Sequence, residues 1–130
     1  MSRENVELLE AVYAAFNASK QINLELLTPD VEFMQPEIGQ STYFGREGVA
    51  RGVLELLDVF DDVQAVPEEF FDVGEQVVVF VRLSGRARGS GVPVEFPLAH
   101  VFRFRGELVD QWHAYPDRHA ALKAAGLEDG

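Results

Sequence analysis

Residues 98–105 read Leu-Ala-His-Val-Phe-Arg-Phe-Arg and end in a strict alternation of phenylalanine and arginine. Successive side chains of a β-strand point to opposite faces of its sheet, so this segment predicts a strand with two different faces. One face carries Leu98, His100, Phe102 and Phe104, and the other carries Ala99, Val101, Arg103 and Arg105. The first face should pack against the interior of the protein, and it contains a single imidazole.

The segments on either side of this strand are also rich in β-forming residues and are joined by short turns that contain glycine. The predicted strands are Val63 to Val73, Gln76 to Gly89, Val92 to Arg105 and Leu108 to Tyr115. Turns of this length connect antiparallel neighbours, so the four strands predict an antiparallel meander. The second strand is apolar on both faces from Val77 to Val81, and such a strand needs cover on both sides.

Ahead of the meander, apolar residues recur at helical spacing. Their stripes predict one helix from about Arg3 to Ala18 and another from about Arg46 to Val59, in which Gly48 and Gly52 allow another element to approach closely. Between these helices we expect one or two helical turns from Ile22 to Leu27, a short strand from Asp30 to Gln35, and a loop or bent strand from Glu37 to Phe44.

The chain closes with a short predicted helix that begins at Pro116 and ends before Gly126. Helices followed by a run of strands favour the α+β class. Strands of this length bend, so we predict a curved antiparallel sheet wrapped around three helices, forming a cone with an internal pocket. A second copy of the chain, bound through the outer sheet face, would cover the apolar side that the helices leave open.

Length and composition narrow the possible functions. The chain has 130 residues, a formal net charge of −11 and no cysteine. We expect a single domain over residues 1–130. The absence of cysteine excludes disulfide scaffolds, thiol nucleophiles and cysteine-ligated metals, and the acidic balance disfavours nucleic acid as a partner. With no export signal and no apolar run long enough to span a membrane, the expected location is the cytoplasm.

Several motifs together resemble the SnoaL-like family, part of the superfamily of nuclear transport factor 2 and ketosteroid isomerase. They are residues 8–18 (LLEAVYAAFNA), 27–33 (LTPDVEF), 44–49 (FGREGV) and 98–104 (LAHVFRF), in the family's order and spacing. The resemblance implies the cone-shaped, cystatin-like barrel of that family. It does not select a reaction, because the superfamily includes isomerases, cyclases, dehydratases, hydrolases and binding modules.

The resemblance also locates candidate catalytic residues. In ketosteroid isomerases a first-strand carboxylate takes the proton, and that position corresponds to Gln35, which cannot do so. The acid of the oxyanion hole corresponds to His100, and the helical tyrosine to Val12 with Tyr13 beside it. Steroid isomerisation by the familiar mechanism is therefore not expected. His100 is the first candidate, as general acid, base or oxyanion donor; a hydrogen-bonded core histidine is the alternative.

Asp110 is the second catalytic candidate, because cyclases of this family carry acids and bases on their late strands. Strand alternation places Asp110 on the same face as Trp112 and Ala114. The alternative is a solvated carboxylate near the end of its strand. His113, on the opposite face, is the other late-strand group that the resemblance points to.

A pocket lining follows from the same assignments. The candidate ligand-binding residues are Tyr13, Phe33, Gln35, Tyr43, Phe60, Arg82, Phe102 and Trp112. Arg82 has two interpretations: it meets a ligand carboxylate or an acidic neighbour inside, or it belongs to a polar stripe outside. The three histidines do not have metal-site spacing, so we expect neither a metal nor a cofactor.

Two functions therefore remain open from the sequence. One is a cofactor-independent isomerase, cyclase, dehydratase or hydrolase acting on a small hydrophobic metabolite. The other is a binding or structural homodimer without catalysis.

Overall fold

The secondary structure is that of an α+β protein, as the sequence predicts. The structure is a computed structural model, and it describes residues 2–35 and 41–127. The helices are α1 (Ser2–Ser19), α2 (Gly45–Val59) and α3 (Arg118–Ala124). The strands are β1 (Leu27–Gln35), β2 (Ser41–Phe44), β3 (Phe60–Val73), β4 (Gln76–Ala87), β5 (Pro93–Arg105) and β6 (Leu108–Tyr115). The predicted loop from Glu37 lies partly outside the described residues.

The six strands form a single sheet in the order β2-β1-β6-β5-β4-β3. The predicted meander is confirmed, since β3, β4, β5 and β6 pair in sequence as antiparallel neighbours. The sheet is mostly antiparallel, as predicted, and at one place β1 pairs with β6 in parallel. Parallel neighbours need a long connection, and the chain from β2 to β5 supplies it.

The two faces of the sheet are covered by different helices. The inner face, which we define as the side of Leu98 and Phe102, packs against α1 and α2 in the main apolar cluster of the protein. The outer face carries a second cluster, in which Val78, Phe80 and Val101 pack with Ala121 and Ala125 at the chain's C-terminal end. A strand that is apolar on both faces is thus covered from both sides within one chain, and α3 supplies part of the cover expected of a second copy.

Two element boundaries differ from the sequence prediction. The helical turns expected from Ile22 to Leu27 shrink to one 3-10 turn at Leu24–Leu26, which starts where Asn23 Oδ1 accepts a hydrogen bond from the backbone N–H of Glu25 at 3.1 Å. The last helix begins after Asp117, not at Pro116, because the Asp117 carboxylate accepts a hydrogen bond from the backbone N–H of His119 at 2.9 Å. Both helical segments thus begin at a short polar side chain that accepts a hydrogen bond from a backbone N–H of the first turn.

Among residues 2–35 and 41–127, no helix combines the length and the apolar character that crossing a membrane requires.

Candidate ligand cavity

A small cavity lies between the helices and the inner face of the sheet. Its volume is about 40 Å³. At about 10–15 Å³ for each water molecule, this is room for about three water-sized groups. The lining residues are Val12, Tyr13, Phe16, Ile22, Phe33, Gln35, Val53, Leu56, Ala65, Leu83, His100, Phe102 and Trp112.

Aromatic rings form one wall of this cavity. The Phe33 and Trp112 rings lie 4.5 Å apart between centroids, and Phe102 stacks on Trp112 at 5.4 Å. The close approach predicted for the helical glycines is confirmed on this wall. A Cβ atom at Gly52 would lie 2.9 Å from Cε2 of Phe33, so α2 can rest against the ring only because position 52 has no side chain.

The central polar contact of the cavity joins Tyr13 of α1 to His100 of β5. The Tyr13 hydroxyl lies 2.6 Å from Nδ1 of His100, and both side chains are buried. Burial lowers the pKa of His100 from 6.5 to about 3 and raises the pKa of Tyr13 well above its ordinary value. Both groups are therefore uncharged at neutral pH, because removing a charge from water costs more than either group regains.

The proton positions follow from the inventory of donors and acceptors. We assign the Tyr13 hydroxyl as the donor to Nδ1, because the phenol proton has no other acceptor among the described residues, and the neutral imidazole then carries its own proton on Nε2. Within the described part of the chain, Nε2 of His100 has no hydrogen-bond partner. The pair Tyr13 and His100 thus leaves one neutral N–H donor without a partner in a residue that lines the cavity.

Gln35 and Trp112 add two further polar groups to the lining. Gln35 Nε2 donates to the backbone carbonyl of Gly52 at 2.9 Å, which leaves Oε1 as an acceptor with no partner among the described residues. The Trp112 indole N–H is buried and, in the same part of the chain, also lacks a partner. The cavity residues contain no Asp, Glu, Lys or Arg among those described. The site is uncharged, with unmet donors and one unmet acceptor.

The structure brings together six of the ten candidate site residues. Tyr13, Phe33, Gln35, His100, Phe102 and Trp112 all line the cavity. Tyr43 lies behind Phe33, with its ring 5.7 Å from that of Phe33, and its hydroxyl donates to the Glu55 carboxylate. Phe60 packs against the main apolar cluster without lining the cavity.

Asp110 lies outside the cavity, contrary to the face that strand alternation predicts. The pairing of β5 with β6 runs from Arg103 with Gln111 directly to Phe104 with Val109, which leaves Asp110 as the extra residue of a bulge. Val109 therefore enters the inner cluster, and the Asp110 carboxylate accepts two hydrogen bonds from Arg103, at 2.8 and 2.9 Å. This one extra residue reverses the sides of the sheet to which Val109 and Asp110 point.

Arg82 also lies outside, which agrees with the second of its two interpretations. Its neighbours Val81 and Leu83 belong to the inner cluster, so Arg82 points to the outer face. There its guanidinium lies 3.1 Å from the Glu68 carboxylate and 4.0 Å from that of Glu95. The side chain is 41% exposed, and its charge is already matched by these acids.

The sequence did not predict two features of the site, its apolar lining residues and the contact between Tyr13 and His100. Val12, Phe16, Ile22, Val53 and Leu56 belong to helical stripes or connections, and their apolar character signals a core and not a cavity. The partnership of Tyr13 with His100 spans 87 positions, a distance at which no periodicity connects two residues. No group of metal ligands occurs within residues 2–35 and 41–127.

Comparisons with known proteins agree with this fold. The model of the SnoaL-like domain family matches residues 9–112. A candidate SnoaL-like polyketide cyclase from Jannaschia sp. CCS1 is 22% identical, with a TM-score of 0.79 over 98% of this chain and 95% of that one. A ketosteroid isomerase-like protein from Catenulispora acidiphila, solved in complex with trimethylamine, is 22% identical, with a TM-score of 0.72 over 98% and 96%.

A third similar structure is AclR, a candidate hydroxylase from Streptomyces galilaeus. It is 15% identical, with a TM-score of 0.74 over 100% of this chain and 89% of that one. The search of curated proteins finds no match. Identities this low establish a shared fold and leave the chemistry to the residues of the cavity.

Proposed function

The chain belongs to the SnoaL-like domain family, and we propose that within it the protein binds a small, uncharged, hydrophobic molecule that carries a hydrogen-bond acceptor. The observation that carries this proposal is the uncharged, aromatic lining of the cavity, in which the neutral His100 offers its Nε2–H. Apolar walls with a few fixed polar groups are the usual composition of a small-molecule site. An ionised ligand would have to leave water without a counter-charge, which is strongly unfavourable.

A catalytic role is the narrower form of this proposal. A neutral imidazole can donate a hydrogen bond to a carbonyl or epoxide oxygen on which negative charge develops, as in a cofactor-independent isomerase, cyclase, dehydratase or hydrolase. With a pKa of about 3, His100 is a weak base. Asp110 cannot assist it, because that carboxylate is bound to Arg103. Proton abstraction would therefore depend on the substrate or on water, and His100 would act as donor.

The sole tryptophan of the chain supplies the experimental readout. Trp112 lines the cavity, so the single indole N–H resonance in a ¹⁵N–¹H spectrum reports its occupancy. Titration with butan-2-one should move this resonance in a saturable way, and propanoate, a carboxylate with the same number of heavy atoms, should not move it. The variant His100→Leu keeps the volume roughly constant and should weaken ketone binding at least tenfold. Saturable binding of the carboxylate with none of the ketone would refute the proposal.

We also propose that the protein forms a homodimer through its outer sheet face. Val66 of β3 is 48% exposed on that face, next to Arg82 in the strand register. Since α3 already covers Val78, Phe80 and Val101, the contact would be formed by the part of the face beyond α3. Light scattering at micromolar concentration should give twice the mass of one chain, and the mass of a single chain would contradict this proposal.

A further inference from the structure

We infer that the ligand is elongated: its acceptor end lies in the cavity beside His100, and an apolar extension passes between Ile22 and Val53 into a groove on the surface. This inference rests on the proposed function and specifies its ligand. The groove is defined by Lys20, Gln21, Ile22, Leu24, Ala50, Val53 and Leu54, and its volume is about 250 Å³.

The groove and the cavity share part of their walls. Ile22, at the end of the connection after α1, and Val53, on α2, line both. These two side chains therefore stand between the interior space and the surface. Val53 is 8% exposed and lies at the edge of the main apolar cluster, and the half-buried Ile22 packs against that cluster from the surface side. Rotation of two aliphatic side chains is a small change compared with movement of a helix.

The difference in size argues for one continuous site. The cavity of about 40 Å³ accommodates a head group of a few heavy atoms, whereas the groove outside is about six times larger (250 ÷ 40). A head group alone buries little apolar surface, and affinity for a small molecule comes mainly from such burial. A ligand that also fills the groove would bury several more methylene groups.

The side chains of the groove select an apolar extension. Leu54 is 62% exposed there, an apolar surface that a bound chain would cover. Lys20 contributes the one formal charge among the described residues of the groove. Its ammonium donates to the Asn17 carbonyl at 3.0 Å and lies 5.8 Å from the Phe16 ring, so it is held against α1. A hydrocarbon chain matches this surface better than a charged group.

A series of straight-chain methyl ketones, from butan-2-one to nonan-2-one, tests the inference. Dissociation constants are measured from the indole resonance of Trp112. In the unmodified protein each added methylene should tighten binding about fourfold, the effect of burying one CH₂ group, and the trend should continue past the length that the cavity holds. In Ala50→Phe, which fills the groove away from the cavity, the trend should stop after the first few members.

Two further variants complete the test. Ala11→Phe places the same side chain on an exposed position of α1 and should leave the whole series unchanged. Leu54→Gln alters an exposed groove residue with little risk to folding, and it should weaken the long ketones at least threefold while sparing butan-2-one.

The outcomes separate the two claims. If short ketones bind but the trend ends at the same length with and without Ala50→Phe, the groove inference is wrong and the cavity proposal stands. If no ketone binds the unmodified protein, both fail.

Discussion

His100 and His113 lie on neighbouring strands and on opposite faces of one sheet, and their surroundings differ in every respect that matters for chemistry. His100 faces the cavity, is 7% exposed, and contacts the neutral hydroxyl of Tyr13 at 2.6 Å. His113 faces outward, and its Nε2 lies 2.7 Å from a carboxylate oxygen of Glu32. The same side chain is thus an uncharged hydrogen-bonding group on one face and the partner of an acid on the other.

The contrast extends to the whole of each face. On the outer face, charged side chains form ion pairs with groups of opposite charge, as in Arg103 with Asp110 and Arg82 with Glu68. The cavity on the inner face has no formal charge among its described residues. The charged residues that give the net charge of −11 therefore do not line the cavity. Their charge influences solubility and the choice of partners more than the chemistry of the ligand.

A lysine placed at each of the two positions should give the largest difference. In His100→Lys an ammonium group is buried among aromatic rings without a counter-charge, so we expect a loss of more than about 3 kcal/mol in the free energy of unfolding. In His113→Lys the new charge can pair with Glu32, and the loss should stay below about 1 kcal/mol. Urea unfolding at pH 7 measures both, and equal losses would contradict the proposed difference between the faces.

Acid should destabilise the protein through His100. Because its pKa falls from 6.5 to about 3 on folding, the unfolded chain binds a proton between these values that the folded chain does not. The free energy of unfolding therefore decreases as pH falls through this window, by about 2 kcal/mol between pH 7 and pH 5.

The variants isolate this contribution to acid sensitivity. His100→Gln should lose that part of the pH dependence, whereas His119→Gln, at an exposed position of α3, should keep it. Urea unfolding from pH 7 to pH 5 gives the comparison. An unchanged pH profile in His100→Gln would show that the imidazole is not buried in its neutral form.

Removal of the Tyr13 hydroxyl should give an intermediate effect on stability. Tyr13→Phe leaves Nδ1 of a buried imidazole without its partner, which costs about 1–3 kcal/mol. Ketone affinity should also fall, since the ring loses the contact that fixes its tautomer and its orientation. Tyr115→Phe, at a half-buried position on the outer side of the sheet, is the matched control and should leave ketone affinity unchanged.

The smallest effect on binding is expected at Asp110. Asp110→Asn weakens a paired carboxylate outside the cavity, so stability should fall by about 1 kcal/mol while ketone affinity stays within twofold of the unmodified protein. Both quantities come from unfolding and from titration of the Trp112 resonance. A tenfold loss of affinity with intact folding would return Asp110 to the ligand site.

The hydrophobic periodicity of the sequence predicts most of the architecture. The alternation through Leu98, His100 and Phe102 correctly placed the imidazole on the inner face, and the helical stripes identified α1 and α2. These features are local, and the burial of one apolar face enforces them. The family resemblance predicted how the elements are arranged in space, which local patterns alone do not fix.

The features that were missed depend on contacts between distant residues. The position of Asp110 depends on one unpaired residue, and a bulge leaves no signature in the alternation that precedes it. The parallel pairing of β1 with β6 and the hydrogen bond from Tyr13 to His100 join segments that are more than 75 positions apart. The cavity itself is a small space between side chains that any pattern analysis assigns to the core.

The bulge at Asp110 has an evolutionary consequence. Deletion of Val109 alone would restore regular alternation up to Trp112 and move the carboxylate from the side of Arg103 to the inner face, opposite Phe104. A single codon loss would thus put a carboxylate on the inner face, one register pair beyond Phe102 and Trp112 and two beyond His100. One inserted or deleted residue at the start of β6 is therefore enough to change the charge that the inner face of this scaffold carries.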